Sequence, residues 1–189
     1  MSAALADALP LPGEPLDIGV NAPAAMQRLV LSWRRGSTRR GPFFAAMSGD
    51  EEIGRVFPEG LVWTAKAWNL PMPGRTYEGP ASAMRALDRE WLARASADQL
   101  RAHAEHLSGT SHRLAWATAP DGAYRGTCGG ETVTRVRPPG PVSASLAAAA
   151  EALGITLPGL PELLRDAELR WLHRQVRLHA ALRVAGGRP

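Results

Sequence analysis

One cysteine and one lysine are all that the chain's 189 residues contain of either type. The lone cysteine, Cys128, excludes an intramolecular disulfide framework and any zinc site built on several thiolates. The lone lysine, Lys66, leaves arginine to supply nearly all of the 22 basic groups. Guanidinium groups do not titrate below about pH 12, so the modest net charge of +4 persists well above neutrality. An arginine-for-lysine bias with abundant Ala, Gly and Pro also fits a GC-rich genome, a codon effect that needs no functional cause.

Long apolar runs are missing too. None approaches the roughly 18 residues that a membrane-spanning helix needs. The stretch MSAALADALPLPGEPLD lacks a basic n-region, and Pro10, Pro12 and Pro15 break its apolar run, so it does not read as a signal peptide. There is no glycine-rich phosphate loop, no RNP aromatic signature, no GXXG in a KH pattern and no zinc-finger spacing. The expectation is a cytoplasmic protein of bacterial type with no cofactor and no metal.

What the chain does hold is a hydrophobic content of 45%, with 16 prolines and 19 glycines punctuating it. Residues 1–20 read as an irregular leader. Asn21 is a good N-cap with Pro23 in the first turn, and Met26, Leu29, Val30 and Trp33 recur at helical spacing. Gly36 would end that helix, with Arg34 and Arg35 complementing its dipole. Gly41-Pro42 can open a short helix carrying Phe43, Phe44 and Met47, and Ser48 with Glu51 reads as a capping box. Residues 58–71 fit two periods. Leu61, Ala65 and Trp68 repeat as on a helix, whereas Trp63, Ala65 and Ala67 would alternate in a strand; the helix is the reading adopted.

Two further helices are expected at about 81–94, burying Met84, Leu87, Trp91 and Leu92, and from a Ser96/Gln99 capping box to Gly109. Strict alternation then begins, with turns at Asp121-Gly122 and Gly129-Gly130, predicting strands at about 112–118, 123–128 and 131–137. Ser143 caps an Ala-rich helix ending at Gly154. A last helix runs from Pro161 to about Val184, with Leu164, Trp171, Leu178 and Leu182 on one stripe and Leu169, Leu172, Val176 and Ala180 beside it. The expected fold is therefore α+β: a mainly helical single globular domain over 21–187, with helices in 21–110, a small three-stranded antiparallel β-meander inserted at 111–138, and helices in 143–185.

Candidate sites are few. Arg34, Arg35, Arg39 and Arg40 cluster in a stretch from Gly19 to Gly49 that contains no acid. Arg170, Arg174 and Arg177 form an i, i+4, i+7 stripe on the last helix. Arginine recognises phosphate and carboxylate bidentately, yet a charged stripe opposite an apolar face is also what any surface helix shows. Cys128, in GTCGG, has the spacing of a nucleophile elbow, but a strand rather than a helix is predicted to follow it. His103 and His106, three apart on a helix, could offer two metal ligands, but with no third nearby they read as exposed or half-buried helix histidines. Of the six tryptophans four fall on faces expected to be buried, so core packing explains them, although a surplus of Trp with Arg is also the composition of interface hot spots. The strand at 131–137 reads as a sheet edge that its charged side chains could protect or that could accept a peptide as an added strand. These features predict a non-catalytic binding or accessory protein acting through a protein or peptide partner. Arginine-mediated nucleic-acid binding is the alternative, and an enzyme dependent on Cys128 a third.

Overall fold

Alternation, rather than a helical period, governs the first half of the chain. In the computed structural model, which describes residues 29–68, 76–138, 140 and 158–185, five antiparallel strands form one sheet in the order β1 (Ser32–Thr38), β2 (Gly41–Ser48), β3 (Glu51–Glu59), β4 (Val62–Ala67) and β5 (Thr76–Tyr77). Tight turns at Arg39-Arg40, Gly49-Asp50 and Gly60-Leu61 join the first four. The mainly helical fold expected above is thus corrected: the described residues hold three helices and eight strands in two antiparallel sheets.

Each misread stretch has a physical reason. Leu29, Val30, Leu31 and Trp33 are all buried, so their spacing marks no helical stripe. Gly36, Ser37 and Thr38 are poor helix formers, and here they pair with Phe43, Pro42 and Gly41 across a hairpin. Ser48 and Glu51 face each other as the last pair of the β2–β3 ladder, not as a helix cap. In the described part of 58–71, residues 58–68, the alternating reading prevails: Trp63 and Ala65 oppose Pro58 and Val56 on β3, while Leu61 projects fully into solvent at the hairpin tip.

One face of this sheet is the core face. Phe44, Val56 and Ala65 are register partners and buried, and Trp33 with Ala46, buried partners in the neighbouring row, carries the core face on towards β1. Helix α1 (Pro80–Arg94) packs on β3, β4 and β5. It buries Met84, Leu87, Trp91 and Leu92, the face its period predicted. Helix α2 (Ala97–Ser108) starts at the expected capping box. The Gln99 backbone N–H donates to Ser96 Oγ at 3.2 Å, and the Ser96 N–H donates to Gln99 Oε1 at 2.9 Å. Replacing Ser96 with alanine should lower stability by about 1 kcal/mol; a chemical-denaturation midpoint unchanged from that of the parent protein would show the cap to be idle.

Just before β1, residues 29–31 run buried, and among the described residues no strand pairs with them to satisfy their peptide groups. Side chains do so instead. Asp88 Oδ1 accepts from the N–H groups of Val30 at 2.9 Å and Leu31 at 2.8 Å, and His103 Nε2 donates to the Val30 carbonyl at 2.9 Å. This answers the requirement that buried backbone groups be paired.

The second sheet is a meander of β6 (Ala115–Thr118), β7 (Tyr124–Cys128) and β8 (Glu131–Val136), with β6 and β8 at its edges. Its strands lie within three residues of the alternation-based boundaries. Arg135 pairs with Asp121 in the turn before β7. Helix α3 (Leu160–Val184) follows. Its buried residues are Ala167, Trp171, Leu172, Val176 and Ala180, whereas Leu178 and Leu182, expected on the buried stripe, are about half exposed. By packing, residues 111–174 form one unit, and those up to 110 together with 175 onwards form another. The leader at 1–20 and the Ala-rich helix at 143–154 lie outside the described residues. Among the described residues no helix is long and apolar enough to cross a membrane.

Candidate functional site: an aromatic and cationic hollow on the outer sheet face

Side chains in β-strands alternate between faces, so the residues between the core positions of β1 to β4 build the opposite face of the five-stranded sheet. Register places Arg34, Ala45, Arg55 and Lys66 in one row across β1 to β4. Phe43 and Phe57 stand in the neighbouring row, and Trp68 follows β4 on the same side as Lys66. Of these, Phe43, Arg55, Phe57, Lys66 and Trp68, together with Arg40 from the β1–β2 turn, line a hollow of about 360 Å³, which Arg34 and Ala45 do not reach.

Arg55 is fixed within it. Its Nε donates to Glu52 Oε1 at 2.6 Å and its Nη2 to Glu52 Oε2 at 3.1 Å. The guanidinium carbon lies 4.3 Å from the centre of the Phe43 ring and 5.6 Å from that of Trp68. Trp68 Nε1 in turn donates to Glu52 Oε1 at 3.1 Å, so one carboxylate orients both side chains. The Glu52 hydrogen bond holds the Arg55 proton more tightly than an arginine ordinarily does. Lys66 lies 5.3 Å above the Phe57 ring. Glu59 also lines the hollow and accepts from Thr64 Oγ1 at 2.8 Å.

The position of Phe43 depends on a glycine opposite. A Cβ on Gly36 would sit 2.2 to 2.8 Å from three atoms of the Phe43 ring, so only glycine lets the ring lie down against β1. With Gly36 on the β1 side and Arg55 on the β3 side, Phe43 has a neighbour against each face.

The arginines singled out in the sequence fare differently. Arg40 lines the hollow, Arg39 is exposed beside it in the turn, and Arg34 is exposed on β1. Arg35, half-buried, alternates to the other face, so the structure does not gather all four. Arg170, Arg174 and Arg177 are exposed on α3, Arg170 pairing with Asp166 at 2.7 Å. Cys128 ends β7 and is followed by a turn into β8 rather than by a helix N-terminus; its Sγ lies 3.4 Å from the Ser111 carbonyl. His103 is wholly buried and His106 exposed, and among the described residues no group of three His, Cys, Asp or Glu could hold a metal. Sequence reasoning missed Arg55 and did not place Lys66 or Trp68 at a site. The usable signal was the spacing Arg55/Phe57 and Lys66/Trp68, two residues apart, which puts each pair on one face once both stretches are strands.

No family model, curated protein or solved structure matches the chain.

Proposed function

We propose that the chain is a non-catalytic binding protein of the cytoplasm that receives an extended segment of a protein partner on the outer face of its five-stranded sheet. The observation that supports this most is the Phe43–Arg55–Trp68 stack beside Arg40 and Lys66. It combines a half-exposed tryptophan, a guanidinium already immobilised by Glu52, and two more cations in one concave patch. Tryptophan and arginine held in this way lose little conformational freedom on binding, which is why such residues dominate interface energetics.

Nucleic-acid binding through the arginines is supported less. Sequence-tolerant binding of single strands needs aromatic faces on which bases can stack. Here Phe43 has Gly36 and Arg55 against its two faces, and Phe57 is covered by Lys66. Trp68, half-exposed, has Arg55 over one face at 5.6 Å, so the hollow offers at most one free aromatic face, too little for a platform.

The test places a photo-crosslinking benzoylphenylalanine at Pro42, an exposed residue that lines the hollow, and a control at Glu131 on β8. The expected result is one protein adduct from position 42 and none from 131, mapped to one segment of the partner. The adduct should disappear when Arg40 and Lys66 are both changed to glutamate. An adduct that survives this charge reversal, or none at all, contradicts the proposal.

A further inference from the structure

We infer that the hollow is a carboxylate subsite: it takes one acidic side chain of the bound segment, with an apolar side chain next to it lying against Trp68. This rests on the partner-binding reading above and names the group that is recognised.

A guanidinium has five N–H donors arranged as two forks. Glu52 occupies the fork made by Nε and Nη2 of Arg55. The N–H groups left over, on Nη1 and on the rest of Nη2, have no acceptor among the described residues. They belong to a group that lines the hollow and is held between Phe43 and Trp68. A planar carboxylate meets such a fork with two parallel hydrogen bonds. Arg40 and Lys66 line the same hollow, and among the described residues neither has an ion-pair partner.

Charge selects a carboxylate over a more highly charged group. Three cations, Arg40, Arg55 and Lys66, share the site with Glu52 and Glu59, leaving one net positive charge to be met by one negative charge. The volume of about 360 Å³ is at the small end of ligand pockets, suited to one or two side chains rather than a nucleotide. The exposed indole of Trp68, bonded to Glu52 through its Nε1, presents apolar surface beside the cations.

The test titrates the full chain with the capped peptide Ac-Gly-Phe-Glu-Phe-Glu-Gly-NH2 and with its counterpart carrying glutamine for both glutamates. The NMR signal of the Trp68 indole N–H and backbone NMR shifts around Lys66 provide the readout. The expected result is saturable binding of the acidic peptide, at least about tenfold weaker binding of the glutamine peptide, and about a tenfold loss for the acidic peptide on Arg40→Gln. Arg40 sits exposed in a turn, so this variant is expected to fold. Equal binding of both peptides overturns the carboxylate inference but leaves the partner-binding reading in place. The same division holds if neither peptide binds while the crosslink from position 42 is still charge-dependent. Failure of both peptides together with loss of that crosslink removes both. Tighter binding of a ten-nucleotide oligothymidine than of the acidic peptide overturns both in favour of nucleic acid.

Discussion

Asp88→Ala is expected to lower unfolding stability by about 2–6 kcal/mol, while Asp88→Asn costs about 1 kcal/mol or less. The Asp88 carboxylate is the acceptor for two buried backbone N–H groups, those of Val30 and Leu31. Alanine would leave both without a partner, at roughly 1–3 kcal/mol each. Asparagine keeps an oxygen at the same place and removes the cost of burying a charge. Denaturant unfolding of the two variants checks this, and equal losses for alanine and asparagine would show that the acceptor is not what matters.

The pH dependence offers an independent check, because Asp88 and His103 hold the same residue from opposite sides. Burial is the first cause in each: it raises Asp88 to about 6 against two opposing backbone hydrogen bonds, and it lowers His103 to about 4, with His106 and Arg183 adding repulsion. Folding therefore favours protonated Asp88, whose contribution is complete below about pH 4 and is lost as pH rises through about 6. Folding also favours neutral His103, whose contribution is complete above about pH 6.5 and is lost as pH falls through about 4. Each is worth about 3 kcal/mol across its window. The slopes are opposite over the same range, so the two nearly cancel in the parent protein between pH 4 and 6. Asp88→Asn should expose the histidine term, with stability rising with pH across that window. His103→Gln should expose the aspartate term, with stability falling. A parent profile already steep there, with both variants parallel to it, would refute the pairing.

Gly54→Ala should cost about 3 kcal/mol or more. A Cβ at Gly54 would lie 2.2 Å from the Lys66 carbonyl oxygen and 2.8 Å from the Ala67 Cα, both backbone atoms of the paired strand, and 3.0 Å from Leu87 on α1. No rotamer relieves a clash with backbone, so β3 and β4 must separate; overpacking of well-packed sites typically costs about 1–3 kcal/mol, and a fixed backbone puts this position at the upper end. The same separation shifts Lys66 and Trp68 relative to Arg55. The variant should therefore lose the Trp68 response to the acidic peptide even at temperatures where it remains folded. Thermal melting measures the first effect and the titration the second; a melting point within a degree or two of the parent's would show that the strands accommodate the methyl group.

What could be read from sequence followed from how local each cause was. Helices α1 and α2 carry their own evidence, an apolar face at helical spacing and a capping box between Ser96 and Gln99, and both appear where expected. The meander was legible because tight alternation is bounded there by Asp121-Gly122 and Gly129-Gly130. Strands β1 to β4 were not. Their stability lies in partners across the sheet, and Met26, Leu29, Val30 and Trp33 happened to satisfy a helical template, whereas Leu29, Val30, Leu31 and Trp33 are all buried whatever their spacing. In residues 58–71 both periods were present, and only the Gly60-Leu61 turn with its β3 partners decides for strands. The site shared that fate. Arg40 could be picked out by its acid-free surroundings, whereas Arg55, Lys66 and Trp68 become neighbours only through a strand register that no local pattern specifies.

The most direct test of partner binding on the outer sheet face uses the segment mapped from the position-42 adduct, made as a synthetic peptide. Its affinity for the full chain is compared with that for the Arg40→Glu, Lys66→Glu double variant at matched ionic strength. Both substituted residues are exposed, so melting should be nearly unchanged, and reversing two charges at a shared site should weaken binding at least about tenfold. Equal affinity for the parent and the charge-reversed protein would contradict the assignment of this face as the binding site.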